Sequence, residues 1–246
     1  MRLKQVLFPF LLCQFAAGVP AQTTSGQIWA NFTLDHPKGD RLVFEVDLEP
    51  KAQFSGDDTW RGVDVTPAVE YYPNRWMDVV GETAIARTRQ SNELSSVEVT
   101  PRLGVRLHLL SNLRTMRPGP RPLGRVSVAN LSRAEWRNFW YSDDTPASHE
   151  SRFRNRIELK VGLNHEELSR DKMLFLIADI EFFVPLSDDV PERFATKKRT
   201  RVGLGYRRDS KWRFELLFIR DGTRTTDAGS FAVAANIVDF RTKVLF

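Results

Sequence analysis

Hydrophobic and polar residues alternate along almost the whole chain, and helical spacing is hard to find. From Arg41 to Phe54 one set of positions reads Leu42, Phe44, Val46, Leu48, Pro50, Ala52 and Phe54, while the intervening set reads Arg41, Val43, Glu45, Asp47, Glu49, Lys51 and Gln53. The split recurs from Glu93 to Leu110, where Val97, Val99, Leu103, Val105, Leu107 and Leu109 oppose Glu98, Thr100, Arg102, Arg106 and His108. Between Ser151 and Leu163 it sets Phe153, Ile157, Leu159, Val161 and Leu163 against Arg152, Arg154, Arg156, Glu158 and Lys160. Side chains on a strand project alternately to two sides, so a period of two at this length means strands with one oily and one charged face.

Weaker segments complete a series of strands expected near 27–35, 41–54, 59–72, 75–89, 93–110, 123–141, 151–163, 172–186, 195–207, 211–221 and 229–246. Most are far longer than the roughly five or six residues of a soluble strand. A tilted strand needs about 9–11 residues to cross a bilayer. The run from Arg117 to Pro122 reads as a turn or small ordered cap. The fold class expected is all-β, an antiparallel transmembrane up-and-down β-barrel of ten strands over residues 41–246, with twelve as the alternative. Single-chain bacterial barrels have even strand numbers. With both ends in the periplasm, the tight connections at 72–76 and 207–210 face the periplasm, and 142–150, 187–194 and 222–228 lie outside. Residues 22–40 then form an N-terminal segment that is periplasmic, interior or a first strand.

The N-terminus sets the compartment. Arg2 and Lys4, an apolar run from Val6 to Leu12 and then Val19-Pro20-Ala21 describe a secretory signal peptide over residues 1–21, cleaved after Ala21. Its removal takes Arg2 and Lys4 away, so the formal charge falls from +5 to +3, too little to indicate a nucleic-acid partner. The single cysteine, Cys13, leaves with it, which excludes disulfides and thiolate metal sites from the mature chain. No cofactor or metal is expected, since His36, His108 and His165 show no ligand spacing.

Charged residues make up 27% of the chain and mean hydropathy is −0.36, values typical of a soluble protein. Sorted by parity, the charges separate onto one strand face and the loops. In a soluble sandwich the oily face turns inward, and in a membrane barrel it meets lipid. Trp29, Trp60, Trp76, Trp140 and Trp212, with Tyr71, Tyr72, Tyr141 and Tyr206, fall at expected strand ends, as interfacial belts require. This favours the outer membrane of a Gram-negative bacterium, with its lipid and lipopolysaccharide as partners.

In the last strand Phe240, Thr242, Val244 and Phe246 share one face, and Asp239, Arg241 and Lys243 the other. The pattern resembles the closing strand of bacterial outer-membrane barrels. That resemblance implies Phe240, Val244 and Phe246 as an insertion signal and the barrel-insertion machinery as a partner. Four segments, Gln27-Ile28-Trp29, Arg133-Ala134-Glu135-Trp136-Arg137, Arg152-Phe153-Arg154-Asn155-Arg156 and Arg201-Val202-Gly203-Leu204-Gly205-Tyr206, make the mature chain resemble an uncharacterised bacterial family of outer-membrane β-barrels of unknown function. The resemblance implies the barrel and supplies no catalytic residue.

Two candidate sites follow. The first is a ladder of lumen charges: Arg102, Arg106, Arg133, Glu135, Arg137, Arg152, Arg154, Arg156, Glu158, Asp179, Glu181, Arg199, Arg201 and Glu215. Guanidinium rings attract anions, whereas interleaved signs in a narrow interior make a self-neutralising plug. The plug is the favoured reading, giving a structural or narrow-channel protein. The second is His149 with Ser151, two residues apart on one strand face, where an imidazole can take a seryl proton. Glu150 faces the other way, leaving Asn155 or Glu135 to orient the imidazole. An outer-membrane acyl hydrolase is therefore the alternative function. The acidic doublets Asp57-Asp58, Asp143-Asp144 and Asp188-Asp189 fall in loops expected outside, where carboxylates can share divalent cations with lipopolysaccharide.

Overall fold

The computed structural model describes residues 24–56, 59–91, 94–110, 124–186, 196–224 and 231–246. The expected signal peptide, Arg117 to Pro122, and two of the acidic doublets, Asp57-Asp58 and Asp188-Asp189, lie outside the described residues. Eleven strands form among the described residues: β1 Ser25–Lys38, β2 Leu42–Ser55, β3 Trp60–Tyr71, β4 Met77–Gln90, β5 Ser95–Leu110, β6 Val126–Tyr141, β7 Ser148–Gly162, β8 Met173–Pro185, β9 Lys197–Arg207, β10 Trp212–Thr223 and β11 Ala232–Leu245. Each pairs with its sequence neighbours, and β1 closes on β11, so the sheet is one closed barrel rather than two stacked sheets.

Closure corrects the expected count of ten, and with it the expectation that both ends lie on one side. Residues 25–38 form a full wall strand, so the number is odd and one pair must run parallel. That pair is β1 with β11, in register from Ser25 opposite Ala235 to Asp35 opposite Leu245. All other pairs are antiparallel. Closing the seam satisfies the backbone groups that an edge strand would leave open. Alternation specifies strands and their faces, but it contains nothing about the parity of their number.

The polarity of the barrel is inverted relative to a soluble protein. Phe32, Ile85, Leu103, Ile157, Leu216 and Phe240 point outward and are each about half exposed, while Asp78, Glu135, Glu181 and Asp239 are fully buried inside. The connections at 39–41, 72–76 and 208–211 share one rim, called lower here, with Phe246. The Asp209 carboxylate caps the last of these turns by accepting the backbone N–H groups of Lys211 at 2.8 Å and Trp212 at 2.9 Å. The Lys211 contact leads in holding this carboxyl below its usual range. Phe246 is tied down by its N–H to the Asp35 carbonyl, and its own carbonyl meets His36 Nδ1 at 3.1 Å.

Three aromatic expectations change, the first at Tyr72, which turns inward and donates its hydroxyl to the buried Glu70 at 2.5 Å. Trp76, Trp140 and Trp212 are exposed near strand ends, joined by Trp136. Trp29 is instead 8% exposed and sits inside, where Lys51 and Arg199 stack over its ring at 4.7 and 5.0 Å. Trp60 also turns inward, donating from Nε1 to Gln53 at 2.9 Å.

The interior is not charged throughout. Trp29, Met173, Phe175, Ile177, Leu217, Ile219 and Ile237 form an apolar core along β8, β10, β11 and β1. The run Met173-Leu174-Phe175-Leu176-Ile177 is apolar on both faces, so it lines both lumen and outer wall. Glycine makes room beside it on β9, since a Cβ at Gly205 would overlap the Phe175 ring and one at Gly203 would overlap the Leu216 carbonyl. Gly81 has nothing within 4 Å of such a Cβ. Gly205→Ala should therefore lower stability by about 1–3 kcal/mol, whereas Gly81→Ala should be close to neutral. Denaturant titration of the folded protein in detergent measures both.

Candidate functional site

Charges of opposite sign lie opposite each other across the strands. In one row, Glu82 of β4 faces Arg102 of β5, Arg102 faces Glu135 of β6, and Glu135 faces Arg152 of β7. In a second, Arg156 of β7 faces Glu181 of β8, Glu181 faces Arg199 of β9, and Arg199 faces Asp221 of β10. Opposed residues on one sheet face are close enough to interact directly.

Two carboxylates are the hubs. Glu135 has no solvent exposure and contacts Arg152 at 2.5 Å, Arg154 at 2.9 Å, Arg133 at 3.0 Å and Arg102 at 3.7 Å. Glu181 takes Arg154 at 2.5 Å and Arg201 at 2.7 Å, and Arg201 also reaches Asp179 at 2.6 Å. Arg199 binds Asp221 through two nitrogens, at 2.6 and 2.9 Å. Arg152 and Arg154 stack against Phe183, joining the charged half to the apolar half. Nearer the rims, Arg106 meets Glu70 at 2.9 Å, Arg137 bridges Glu98 and Glu150, and Glu158 pairs with Lys160. Arg156 lies within the field of Glu181, Glu158 and Asp179, and Glu215 faces Arg241 across the β10–β11 pair. Every member of the predicted ladder thus projects into the lumen.

His149 and Ser151 lie elsewhere. Their neighbours Glu150 and Arg152 point inward to Arg137 and Glu135, so these two project from the outer wall of β7 near the upper rim. The orienting group is neither residue expected. Glu135 is on the lumen side, held by arginines. Asn155 does face outward, but it sits opposite Ser132 and donates to Ser132 at 2.9 Å and Asn130 at 3.3 Å. The partner is Asn138 of β6, directly opposite His149, with its Oδ1 2.8 Å from His149 Nδ1. The Asn138 amide NH2 donates to the Val99 carbonyl at 3.1 Å and the Trp136 carbonyl at 3.3 Å. These two acceptors fix which end is oxygen, so Nδ1 of a neutral His149 carries the proton and Nε2 keeps its lone pair. Asn138 was hidden because its contact depends on hairpin register, which pairs it with a residue across a connecting loop.

Other sites are less developed. Phe240 is half exposed on the outer face of β11, Val244 shares that face, and Phe246 stands exposed beside the His36 ring. Asp143 and Asp144 are exposed, and Asp143 accepts the Thr145 N–H. No cluster of three or more His, Cys, Asp or Glu able to hold a metal occurs among the described residues.

A sealed sheet with apolar side chains outside and paired charges within defines the class as a closed β-barrel of inverted polarity. Residues 26–229 match the family described as "Protein of unknown function (DUF2490)", and the chain belongs to that family. No curated protein matches the chain.

Removing the hub carboxylate should be costly, because several buried guanidiniums lose their shared partner. Glu135→Gln should destabilise the barrel by about 3–5 kcal/mol. Glu150→Gln, at a side chain 54% exposed, should cost no more than about 1 kcal/mol. Denaturation midpoints of both variants in one detergent check the contrast.

Proposed function

We propose that this protein spans the bacterial outer membrane as a closed barrel plugged by its own side chains, with a structural role. The observation that carries this reading is the inversion of polarity, with half-exposed Phe, Leu and Ile around the whole wall and fully buried carboxylates within. In water such a wall would be an aggregation surface far beyond the few hundred Å2 of exposed apolar patch that soluble monomers tolerate. In lipid it is the favourable face, and a closed sheet leaves no edge to be desolvated without partners.

Dimensions agree. The strands run from 11 residues in β9 to 16 in β5 and β6, enough to cross a bilayer when tilted and to extend beyond it. Trp76 and Trp212 near the lower rim and Trp140 near the upper one supply amphipathic rings where headgroups would lie. No helix among the described residues is long and apolar enough to cross a membrane, so crossing rests on the strands. The signal-like segment 1–21 directs export, and the outward Phe240, Val244 and Phe246 offer the insertion machinery its contact.

The plug follows from the hubs. Glu135 and Glu181 tie the neighbouring strands β5 to β9 together along the inner wall, and the apolar core of β8, β10, β11 and β1 packs beside them. A solute would have to displace hydrogen-bonded guanidiniums without offering equal replacement.

The protein should fractionate with outer membranes, require detergent for extraction, and migrate faster on a gel when unheated than when boiled. Reconstituted in planar bilayers it should give no steady conductance. Recovery in the soluble periplasmic fraction would overturn the membrane assignment, and a stable open current would overturn the plug.

A further inference from the structure

We propose that Asn138, His149 and Ser151 form an acyl-ester hydrolase site on the lipid-facing wall, acting on the acyl esters of a membrane lipid. The inference rests on the outer-membrane reading above and adds an activity to it. Polar side chains directed at lipid are costly and mark function by default. Here three of them share the outer face of β6 and β7, and one contact among them, Asn138 to His149, is already made.

Asn138 is held by two backbone carbonyls and presents its Oδ1 to His149 Nδ1. This sets the tautomer in which Nε2 is the base. Ser151, two positions along the same strand face, has a hydroxyl that no hydrogen bond ties down among the described residues. The seryl oxygen adds to the ester carbonyl while its proton passes to Nε2. The tetrahedral adduct collapses to an acyl-serine, and the departing alcohol takes the proton back from the imidazolium. Water, activated by the same Nε2, then releases the fatty acid and restores the serine, so ester and water give acid and alcohol. His149 and Ser151 are the catalytic residues, and Asn138 is a positioning residue.

Depth indicates the substrate class. Trp136 lies directly opposite Ser151, and Trp136 and Trp140 flank Asn138 on the outer face, both about half exposed. Aromatic belts mark the level where headgroups meet acyl chains, which is the depth of the ester bonds. Both glycerophospholipids and lipid A carry acyl esters at that depth.

The test uses the full mature chain inserted in vesicles, with insertion confirmed by heat-modifiable migration of the same sample. One arm supplies phosphatidylethanolamine and phosphatidylglycerol vesicles, the other vesicles carrying purified lipid A, and released fatty acid is measured by mass spectrometry. A fluorophosphonate probe reports in parallel whether Ser151 is labelled. The wild type should release fatty acid in one arm, which identifies the lipid, and Ser151 should be labelled. Ser151→Ala should lower release at least about 100-fold. Asn138→Ala should lower kcat with little change in KM, and Asn138→Asp, which keeps the acceptor, should restore much of it. Inserted protein with neither release nor labelling overturns the site, as does release that survives Ser151→Ala. Failure of the wild type to insert overturns the barrel reading as well.

Discussion

The structure depends on charges turned inward having to neutralise one another. Glu82, Asp179 and Asp221 are each placed by sheet register opposite a guanidinium, and Glu135 and Glu181 gather several at once. Buried ion pairs are weak evidence of net stability, but breaking one is expensive. The network therefore acts mainly on specificity. A slip of one residue between β6 and β7 would turn Glu135 or its arginines to the outer wall, stranding charges on both sides. Alternating rows such as Glu82, Arg102, Glu135 and Arg152 hold the register in the charged half.

The other half of the lumen is held by shape. Phe175, Ile177, Leu217, Ile219 and Ile237 pack there because Gly203 and Gly205 on the intervening strand remove the side chains that would compete for the space. Phe183 and Trp29 stand where the two halves meet, each beneath cationic groups. An interior filled in this way assigns little chemistry to the lumen. Reactive groups have to be sought on the wall and rims, where the Asn138–His149 pair stands.

Much of the fold was readable from parity. Phe44, Val46 and Leu48 against Glu45, Asp47 and Glu49 gives β2 and its faces with no further information, and every expected strand reappears within a few residues of its bounds. The odd count was not readable, because Ile28, Phe32 and Leu34 identify a strand without naming its neighbours. Trp29 looked like a belt residue near a strand end, yet it lies within β1 and turns inward over the cations of β2 and β9. The charge ladder was legible as inward residues but not as rows, since Arg102 and Glu135 meet only through register. The same limit hid Asn138, which is joined to His149 by the β6–β7 hairpin rather than by spacing along a strand.

The central claim is that the apolar parity faces lipid and the charged parity faces a closed interior. Single cysteines carrying spin labels at Ile85, Leu103 and Leu216 on the outer wall, compared with Thr100 and Ile219 inside, test it directly in vesicles. The account predicts that outer labels are relaxed by oxygen dissolved in the bilayer and shielded from a water-soluble nickel complex, while inner labels are shielded from both. Outer labels freely reached by the aqueous nickel complex would contradict it.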